Sequence, residues 1–467
     1  MLDIIGNNGV QGLSSSRRRF LQIGASSAFG LSTPSLLRAT TTGTGSSLSS
    51  FGRAKRCIVV FLSGGISQLD TFDMKPDAPR EVRGPLKAIP TNVPGIQVSE
   101  LLPLTARHAD KFKIVRTVAH EHGEHSAAMH TMATGTTYPN KTAAPTKAKS
   151  TDHPHFGSIF AKQFGWRDNL PPFVQLPEVF GKIGRWPGQN AGFLGARYDP
   201  VLIQADGPYA RKSPPFRLPE IQLPPGLSSR RISDRRWLLG HLDRLQRTLE
   251  SQSMSDLDVW NQRALSLVGS KRFAHAADLS RESPEVHDRY GSHLWGQGLL
   301  MCRRLVEAGV PLVTIYWFDP VPAGAGGGQF DSHGRIYHHY PERLMPPCDR
   351  GLSALFDDLS ERGMLDDTLV VAIGEFGRTP KVNGAAGRDH WPQTQSILLA
   401  GAGITGGSVY GKTDNHAAFP IENAVPSENL IQTFLHLLGV PPDFELFDVE
   451  GRPIPACRGN AVAGLMA

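Results

Sequence analysis

The chain has 467 residues, of which 40% are hydrophobic and 20% charged, as is typical of a soluble globular protein with a large core. Its formal charge of +6 comes from the N-terminal region, because residues 1–56 hold seven basic side chains and one acidic one, whereas the rest of the chain holds 42 of each. This near-neutral body argues against a nucleic-acid partner, which would require a basic surface.

The first segment of the chain is typical of a twin-arginine export signal. Residues 16–21 (S-R-R-R-F-L) match the pattern S-R-R-x-F-L, and the stretch that follows is diluted by Gly, Ser and Thr. A membrane-spanning helix needs roughly 20 predominantly apolar residues, so we predict no transmembrane helix here. We predict a signal peptide at residues 1–39 and a linker at 40–54, with the twin-arginine export machinery as partner and a periplasmic or extracellular location. The alternative is a disordered basic tail.

Apolar runs and helical periodicity alternate along the rest of the chain. Five apolar runs predict buried strands, at residues 57–62, 112–115, 310–317, 368–373 and 396–400. Amphipathic segments and helix-ending glycines predict helices, at residues 233–249, 292–308, 349–362 and from 427 to the residue before Gly439. Strands separated by such helices predict one α/β domain over residues 55–460, a three-layer α/β/α sandwich with a mostly parallel central sheet.

Acidic and histidine side chains recur directly after the predicted strands. In parallel sheets, ligands bind beyond the carboxyl ends of the strands, so these side chains are candidates for one site. Mixed oxygen and nitrogen donors suit a divalent metal, with zinc, manganese, calcium or iron as candidates. We therefore predict that Asp331, His333, Glu375 and His390 converge in one pocket. The full set of candidate metal ligands comprises Asp70, Asp73, His125, Asp331, His333, Glu375, Asp389 and His390.

Three of these segments resemble motifs of the alkaline phosphatase and sulfatase superfamily. Residues 125–128 (H-S-A-A) with Thr134-Gly135 are similar to its nucleophile segment, D-S-A-A followed by T-G. This resemblance implies that Ser126 begins a helix and is the nucleophile. Residues 368–375 resemble a strand that ends in a metal-binding D-H, and residues 387–392 resemble the segment around a final metal histidine. Asp331-Ser332-His333 would supply the remaining ligands.

A closer resemblance rests on four motifs together: G-G-x-S-Q-L-D-T-F-D, D-S-H, G-E-F-G-R-T-P and G-R-D-H-W-P. They are similar to those of a family of exported bacterial proteins that carries the label domain of unknown function and is often called sulfatase-like. The resemblance covers roughly residues 55–460. It implies a metal-dependent hydrolase of phosphate or sulfate esters, with an anionic substrate such as a sulfated or phosphorylated saccharide.

The sequence also departs from the superfamily pattern. Gly64-Gly65 stands where the superfamily carries an aspartate, and Glu375-Phe376 replaces its D-H. Ser126-Ala127-Ala128 is not C-x-P-x-R or S-x-P-x-R, which argues against a formylglycine mechanism. The alternative function is a degenerate member that binds surfaces or polysaccharides without catalysis. An unrelated esterase would need a G-x-S-x-G elbow, which the sequence lacks.

The two predicted catalytic residues also allow structural interpretations. Ser126 could simply cap its helix, as serine often does. Arg378 could form a salt bridge to Glu375. Arg378 could instead bind a substrate oxyanion, since a guanidinium matches the geometry of phosphate or sulfate, and we predict it to be catalytic.

The candidate metal ligands have structural interpretations of their own. The histidines from His120 to His125 could lie in a solvated loop. Asp70 and Asp73 could cap local turns. Asp389 could form a structural hydrogen-bonded pair with His390. The sequence leaves each of these interpretations open beside the metal site.

Overall fold

The computed structural model describes residues 50–139, 147–177, 185–205, 266–267, 269–317 and 329–466. The predicted signal peptide, most of the predicted linker and the predicted helix at 233–249 lie outside these residues. Among the described helices, none combines the length and apolar character needed to cross a bilayer.

The described chain contains short strands and helices in alternation. The strands are β1 Arg56–Phe61, β2 Ala88–Pro90, β3 Gln97–Ser99, β4 Phe112–Ala119, β5 Phe173–Leu176, β6 Val201–Leu202, β7 Leu312–Tyr316, β8 Thr368–Ile373, β9 Gly377–Arg378, β10 His390–Trp391, β11 Gln395–Ala400, β12 Ser408–Tyr410, β13 Lys412–Thr413, β14 Pro420–Glu422, β15 Val425–Pro426, β16 Glu445–Phe447 and β17 Pro453–Pro455. The α-helices are α1 Arg80–Arg83, α2 His125–Thr134, α3 Phe156–Phe164, α4 Lys271–Ala277, α5 Pro284–Tyr290, α6 Leu294–Glu307, α7 Ile336–His339, α8 Met345–Glu361 and α9 Ser427–Leu437.

Nine of these strands form one central sheet in the order β12-β4-β11-β8-β1-β7-β5-β6, with β15 also paired to β4. Its pairs are parallel except for the two that β11 makes, with β4 and with β8. At the centre of the sheet, strand β1 pairs without a bulge on both sides. Cys57 to Phe61 pair with Leu312 to Tyr316 of β7 on one side and with Leu369 to Ile373 of β8 on the other. The predicted α/β class with a mostly parallel sheet is confirmed.

The central strands are buried on both faces. Successive side chains of a strand point to opposite faces, yet every residue of β8 is buried, as is all of β1 after Arg56. On one face, Ile58 and Val60 belong to a core shared with Trp295 of α6 and Leu352 of α8. Burial of both faces explains why these strands read as unbroken apolar runs in the sequence.

The start of helix α8 differs from the prediction. It begins at Met345, four residues before the predicted start, with Pro346 and Pro347 in its first turn. A short π-helix at Tyr340–Leu344 directly precedes it. In helix α5, Pro284 lies in the first turn, and the Ser283 hydroxyl accepts a hydrogen bond from the Val286 amide at 3.5 Å.

The topology brings four strand ends to one edge. Strands β1, β4, β7 and β8 run in the same direction, so the segments that follow them meet beyond their carboxyl ends. Because β11 is antiparallel, the segment that precedes it, including β10, arrives at the same edge. The predicted metal ligands come from these five segments.

Stability at acid pH depends on buried imidazoles such as that of His155, which caps helix α3 by accepting a hydrogen bond from the Gly157 amide at Nδ1 (2.8 Å). Burial lowers the pKa of His155 to about 3, whereas an unfolded histidine titrates near about 6.5. The unfolded chain therefore takes up this proton first as the pH falls. The contribution of His155 to stability is intact above about pH 6.5, and about 2 kcal/mol of it is lost between pH 7 and pH 5.

The variant His155→Asn tests this dependence, since it removes the titrating ring but keeps a side-chain acceptor at the helix N-terminus. We expect the free energy of unfolding in urea to fall by about 2 kcal/mol more in the parent than in the variant when the pH is lowered from 7 to 5. An equal fall in both proteins would show that this imidazole does not titrate as its burial requires.

Candidate metal centre

The first turn of α2 carries two of the candidate residues, His125 and Ser126. Its N-terminus is capped by Glu124, whose carboxylate accepts hydrogen bonds from the amides of Ser126 (3.0 Å) and Ala127 (3.2 Å). The Ser126 hydroxyl donates to the same carboxylate oxygen at 2.6 Å and is almost fully buried. The capping role considered for Ser126 therefore belongs to Glu124, and its role as nucleophile stays a prediction.

Three imidazoles, one on this helix and two close to it, are each oriented by a hydrogen bond through Nδ1. His125 Nδ1 bonds to the Glu375 carboxylate at 2.6 Å, His333 Nδ1 to the Asp389 carboxylate at 2.7 Å, and His390 Nδ1 to the Gly123 carbonyl at 2.7 Å. Carbonyl and carboxylate oxygens accept hydrogen bonds, so Nδ1 carries the hydrogen in each ring. In a neutral imidazole this leaves Nε2 as a bare nitrogen, which is the form that binds metal.

The three Nε2 atoms converge on the carboxylate of Asp331. Nε2 of His125 lies 3.3 Å from Oδ2, while those of His333 and His390 lie 3.1 and 3.2 Å from Oδ1. The Nε2 atoms of His333 and His390 are only 2.9 Å apart, so a proton or a cation is needed between their lone pairs. Ligand atoms of His125, Asp331 and His390 lie within 4.8 Å of one another, which suits a metal ion bound by all three.

Protonation of the cluster follows from this geometry. Burial alone would raise the pKa of Asp331, but hydrogen bonds from His125 and His390 and the charge of Arg378 outweigh it and hold this pKa well below its usual range. Burial likewise opposes a charge on His125, yet hydrogen bonds to Asp331 and Glu375 raise its pKa to about 9. A hydrogen bond from His333 lowers the pKa of Asp389. The cluster thus stabilises positive charge at its centre.

Glu375 and Arg378 lie on the buried side of this cluster and hold its residues in place. Glu375 is buried, and its carboxylate accepts hydrogen bonds from the Gly64 amide at 2.8 and 3.1 Å as well as from His125. Arg378 is fully buried and donates to Asp331 at 2.7 Å, to the Gly65 carbonyl at 2.8 Å and to the Gly64 carbonyl. Arg378 therefore pairs with Asp331 and not with Glu375. These contacts make it a positioning residue for Asp331, and its predicted contact with a substrate anion stays a prediction.

Gly64 and Gly65 are required by the close approach of backbones at this edge. Both have positive φ, +102° and +73°, and a Cβ on Gly64 would collide with the backbone of Phe330 and Asp331. Glycine at position 64 therefore leaves room for the segment that delivers Asp331.

Two predicted ligands, Asp70 and Asp73, are not brought into the cluster. Asp70 is fully buried and pairs with the buried Arg388 at 2.7 Å, with a further hydrogen bond from the Ser67 hydroxyl at 2.5 Å. Asp73 pairs with Lys75 at 3.0 Å and with Arg116 at 3.2 Å. These buried charges are already compensated by cations, so the structure gives both aspartates a structural role in place of the expected one.

Three further residues support the site, and two of them, Phe376 and Asn383, are not predicted from the sequence. Phe376 packs its ring against those of His125 (5.0 Å) and His390 (4.4 Å). The Asn383 amide donates to the Asp389 carboxylate at 3.2 Å and to the His333 carbonyl at 2.9 Å. His120 bonds through Nε2 to the Glu375 carbonyl at 2.6 Å, and burial lowers its pKa to about 4. Phe376 could have been identified from its place inside the motif G-E-F-G-R-T-P, whereas Asn383 carries no sequence signal.

Solved structures similar to this chain include three of bacterial origin. The sulfatase PsFucS1 from Pseudoalteromonas sp. is 11% identical over 90% of this chain and 74% of its own, with a TM-score of 0.41. A protein in the alkaline phosphatase superfamily from Vibrio parahaemolyticus is 13% identical over 87% and 74%, with a TM-score of 0.35. The phosphonate monoester hydrolase SpPMH from Silicibacter pomeroyi is 10% identical over 88% and 76%, with a TM-score of 0.34. Similarity at this level gives no information on the activity of the chain.

No curated protein matches the chain. A sequence family, in contrast, matches almost all of it. The match spans residues 54–466, which includes the cluster, the segments that supply it and the whole central sheet. It begins one residue before the predicted start of the α/β domain and ends six residues beyond its predicted end. The chain therefore belongs to the family described as "Protein of unknown function (DUF1501)".

Proposed function

We propose that the chain is a metal-dependent hydrolase of phosphate or sulfate esters. The observation that carries this proposal is the convergence of three imidazole Nε2 atoms on the Asp331 carboxylate. His125, Asp331 and His390 would hold the cation, with His333 beside them. A bound divalent metal supplies the positive charge that stabilises a developing oxyanion on a phosphoryl or sulfuryl group.

The protein's own residues keep this donor set in place. Glu375, Asp389 and the Gly123 carbonyl fix the orientation of the three imidazoles through their Nδ1 atoms. Such outer partners typically contribute roughly 10–100-fold to metal affinity or activity. Arg378 fixes Asp331 from the buried side. These contacts orient the donor set before any ester binds.

Ser126 is the proposed nucleophile. Its hydroxyl donates to the Glu124 carboxylate at 2.6 Å, which is the distance at which a general base takes a proton. In the proposed reaction Ser126 Oγ bonds to phosphorus or sulfur while the bond from that atom to the alkoxy oxygen of the substrate breaks. The serine proton passes to Glu124 and from Glu124 to the departing alkoxide, which leaves as the alcohol. Water then attacks phosphorus or sulfur, the bond to Ser126 Oγ breaks, phosphate or sulfate is released, and the serine oxygen takes up a proton from that water.

A second candidate is a binding protein without hydrolase activity. The burial of Ser126 and the occupation of the first helix amides by Glu124 favour it, because these are the groups that an anionic ester would have to reach. This candidate is a degenerate member that binds a surface or a polysaccharide, and it differs from the hydrolase in having no turnover.

The test uses the full-length protein, stripped of metal by a chelator and reloaded separately with zinc, manganese, iron or calcium. We expect at least one metal to bind in stoichiometric amount and to restore hydrolysis of an aryl phosphate, phosphonate or sulfate ester. Metal binding without turnover on any of these esters would favour the binding protein. If none of the four metals bound, the hydrolase proposal would lose its basis.

Export to the periplasm or beyond is also proposed, on the sequence of residues 16–21. Replacing Arg17 and Arg18 by lysine should leave the protein in the cytoplasm, because the twin-arginine machinery reads the paired guanidinium groups. Cell fractionation of the two proteins measures this. A lysine variant that still reached the periplasm would show that another route exports the chain.

A further inference from the structure

Two buried arginines lie close to the metal cluster, and each pairs with one aspartate. Arg378 donates to Asp331, which faces the cluster, whereas Arg388 donates to Asp70, which does not. Asp70 and both arginines are fully buried. The proposed hydrolase uses Arg378 to hold Asp331, but it gives the second pair no task. Because a buried ion pair adds little to stability by itself, the second pair calls for another explanation.

The Asp70–Arg388 pair has the geometry of a two-point contact. Nε and Nη2 of Arg388 lie 2.7 and 3.3 Å from the two carboxylate oxygens of Asp70. The Ser67 hydroxyl donates to the same carboxylate at 2.5 Å. Arg388 also donates to the Tyr337 hydroxyl at 3.1 Å and to the Thr379 carbonyl at 3.2 Å. These contacts fix the orientation of the guanidinium, whose planar fork matches a carboxylate.

Arg388 also connects the two segments that supply most of the cluster. Its amide donates to the Ser332 carbonyl at 2.9 Å, in the middle of residues 331–333, and its own segment continues directly into residues 389–390. The preceding Gly387 lies so close to the other segment that a Cβ would come within 2.2 Å of its backbone. The two segments are therefore in direct contact on both sides of the Arg388 amide.

The segment that follows β1 holds both arginines. Gln68 contacts the backbone of Arg378 at two points, because its amide nitrogen donates to the Arg378 carbonyl at 2.8 Å and its oxygen accepts from the Arg378 amide at 2.8 Å. Two residues later, Asp70 binds the side chain of Arg388. The segment therefore supplies partners for the arginines where the sequence predicted metal ligands.

Charge gives Asp70 a second effect on the cluster. The two arginines are neighbours, because Nη1 of Arg378 donates to the Arg388 carbonyl at 3.1 Å. Without the Asp70 carboxylate, Arg388 would be a buried cation with no anionic partner, in the segment that supplies His390. Neutralisation of Arg388 lowers the repulsion that a metal cation would meet at the cluster.

We propose that Asp70 is a positioning residue for the metal centre. It orients Arg388, and Arg388 holds residues 331–333 against residues 389–390, so that the side chains of both segments face one cation. Asp70 contacts neither the metal nor the ester in this role. The inference rests on the metal centre of the proposed hydrolase.

The same segment offers a matched control in Asp73. It is as fully buried as Asp70 and also pairs with cations, Lys75 at 3.0 Å and Arg116 at 3.2 Å. Neither of these cations makes a hydrogen bond or an ion pair with a described residue of the cluster. A variant of Asp73 therefore removes a comparable buried charge without a path to the metal centre.

The experiment compares Asp70→Asn with Asp73→Asn in the full-length protein, stripped of metal by a chelator and titrated with zinc. Both variants should lower the melting temperature, because each leaves buried cations without their carboxylate. Only Asp70→Asn should weaken zinc binding, by at least about tenfold in Kd, as is found for groups that orient metal ligands. Cobalt(II) provides a second readout, since its visible absorption reports ligand geometry. This spectrum should change in Asp70→Asn and not in Asp73→Asn.

A second variant, Arg388→Lys, carries the test if Asp70→Asn does not fold, as judged by circular dichroism. Lysine keeps the charge but cannot bridge two carboxylate oxygens, so the same loss of at least about tenfold is expected. The proposal is overturned if Asp70→Asn binds zinc as tightly as Asp73→Asn, or if both weaken binding equally, which would reflect a general loss of stability.

A parent protein that bound neither zinc nor cobalt would count against the metal centre itself. Metal-free crystal structures of the parent and of Asp70→Asn, or of Arg388→Lys in its place, then decide the positioning role. We expect the 3.2 Å contact between His390 Nε2 and Asp331 to be lost in the variant. An unchanged arrangement of these two side chains would overturn the proposal.

Discussion

Replacing Asp331 by asparagine is expected to reduce metal affinity by more than about 100-fold, and hydrolysis with it. Asp331 is the carboxylate on which the three Nε2 atoms converge, at 3.1 to 3.3 Å. An amide keeps the shape of the side chain but removes the negative charge that would stabilise a divalent cation beside the imidazoles. Metal content after gel filtration and turnover, measured on the same sample, check this prediction.

Two control variants separate a specific loss from a general one. Asp389→Asn changes a carboxylate that only orients His333, so its expected effect is roughly 10–100-fold and smaller than that of Asp331→Asn. Asp443→Asn changes an exposed aspartate outside the site and should behave as the parent. If Asp331→Asn retained a full equivalent of metal, the proposed centre would be wrong.

Ser126→Ala is expected to lower turnover by at least about 1,000-fold while metal content stays unchanged. The reason is that the alanine removes the oxygen that would bond to phosphorus or sulfur, whereas His125 and its contacts stay in place. Only one hydrogen bond to Glu124 disappears, so the free energy of unfolding should fall by no more than about 1.5 kcal/mol. Steady-state kinetics with a reactive aryl ester and urea unfolding of the same protein measure both quantities.

Glu124→Gln provides the companion experiment, since the amide still reaches the helix amides but accepts no proton. General base catalysis typically contributes about 100–10,000-fold, so a loss in that range is expected. Normal turnover in Ser126→Ala would rule the serine out as nucleophile and leave water as the attacking group.

Much of the fold could be predicted because burial on both faces makes β1 and β8 unbroken apolar runs, C-I-V-V-F and L-V-V-A-I. The cluster could be predicted because the segments that follow parallel strands meet at one edge of the sheet. Asp331, His333, Glu375 and His390 do meet there, although Glu375 orients His125 and does not face the centre itself.

What could not be predicted depends on long-range partners. Asp70 and Asp331 look alike in the sequence, since each is an aspartate after a strand. Asp70 pairs with the buried Arg388, which lies 318 residues further along the chain, whereas Asp331 faces the histidines of the cluster. In the same way, Ser126 is a preferred helix-capping residue and Glu124 is not, yet the backbone geometry makes Glu124 the cap of α2.

Anomalous diffraction from crystals of the full-length protein, grown with the metal that it retains on purification, would locate that metal. We expect one strong anomalous peak about 2 Å from Nε2 of His125, Nε2 of His390 and a carboxylate oxygen of Asp331. A metal peak elsewhere, or none between these three side chains in a protein that retains metal, would contradict it.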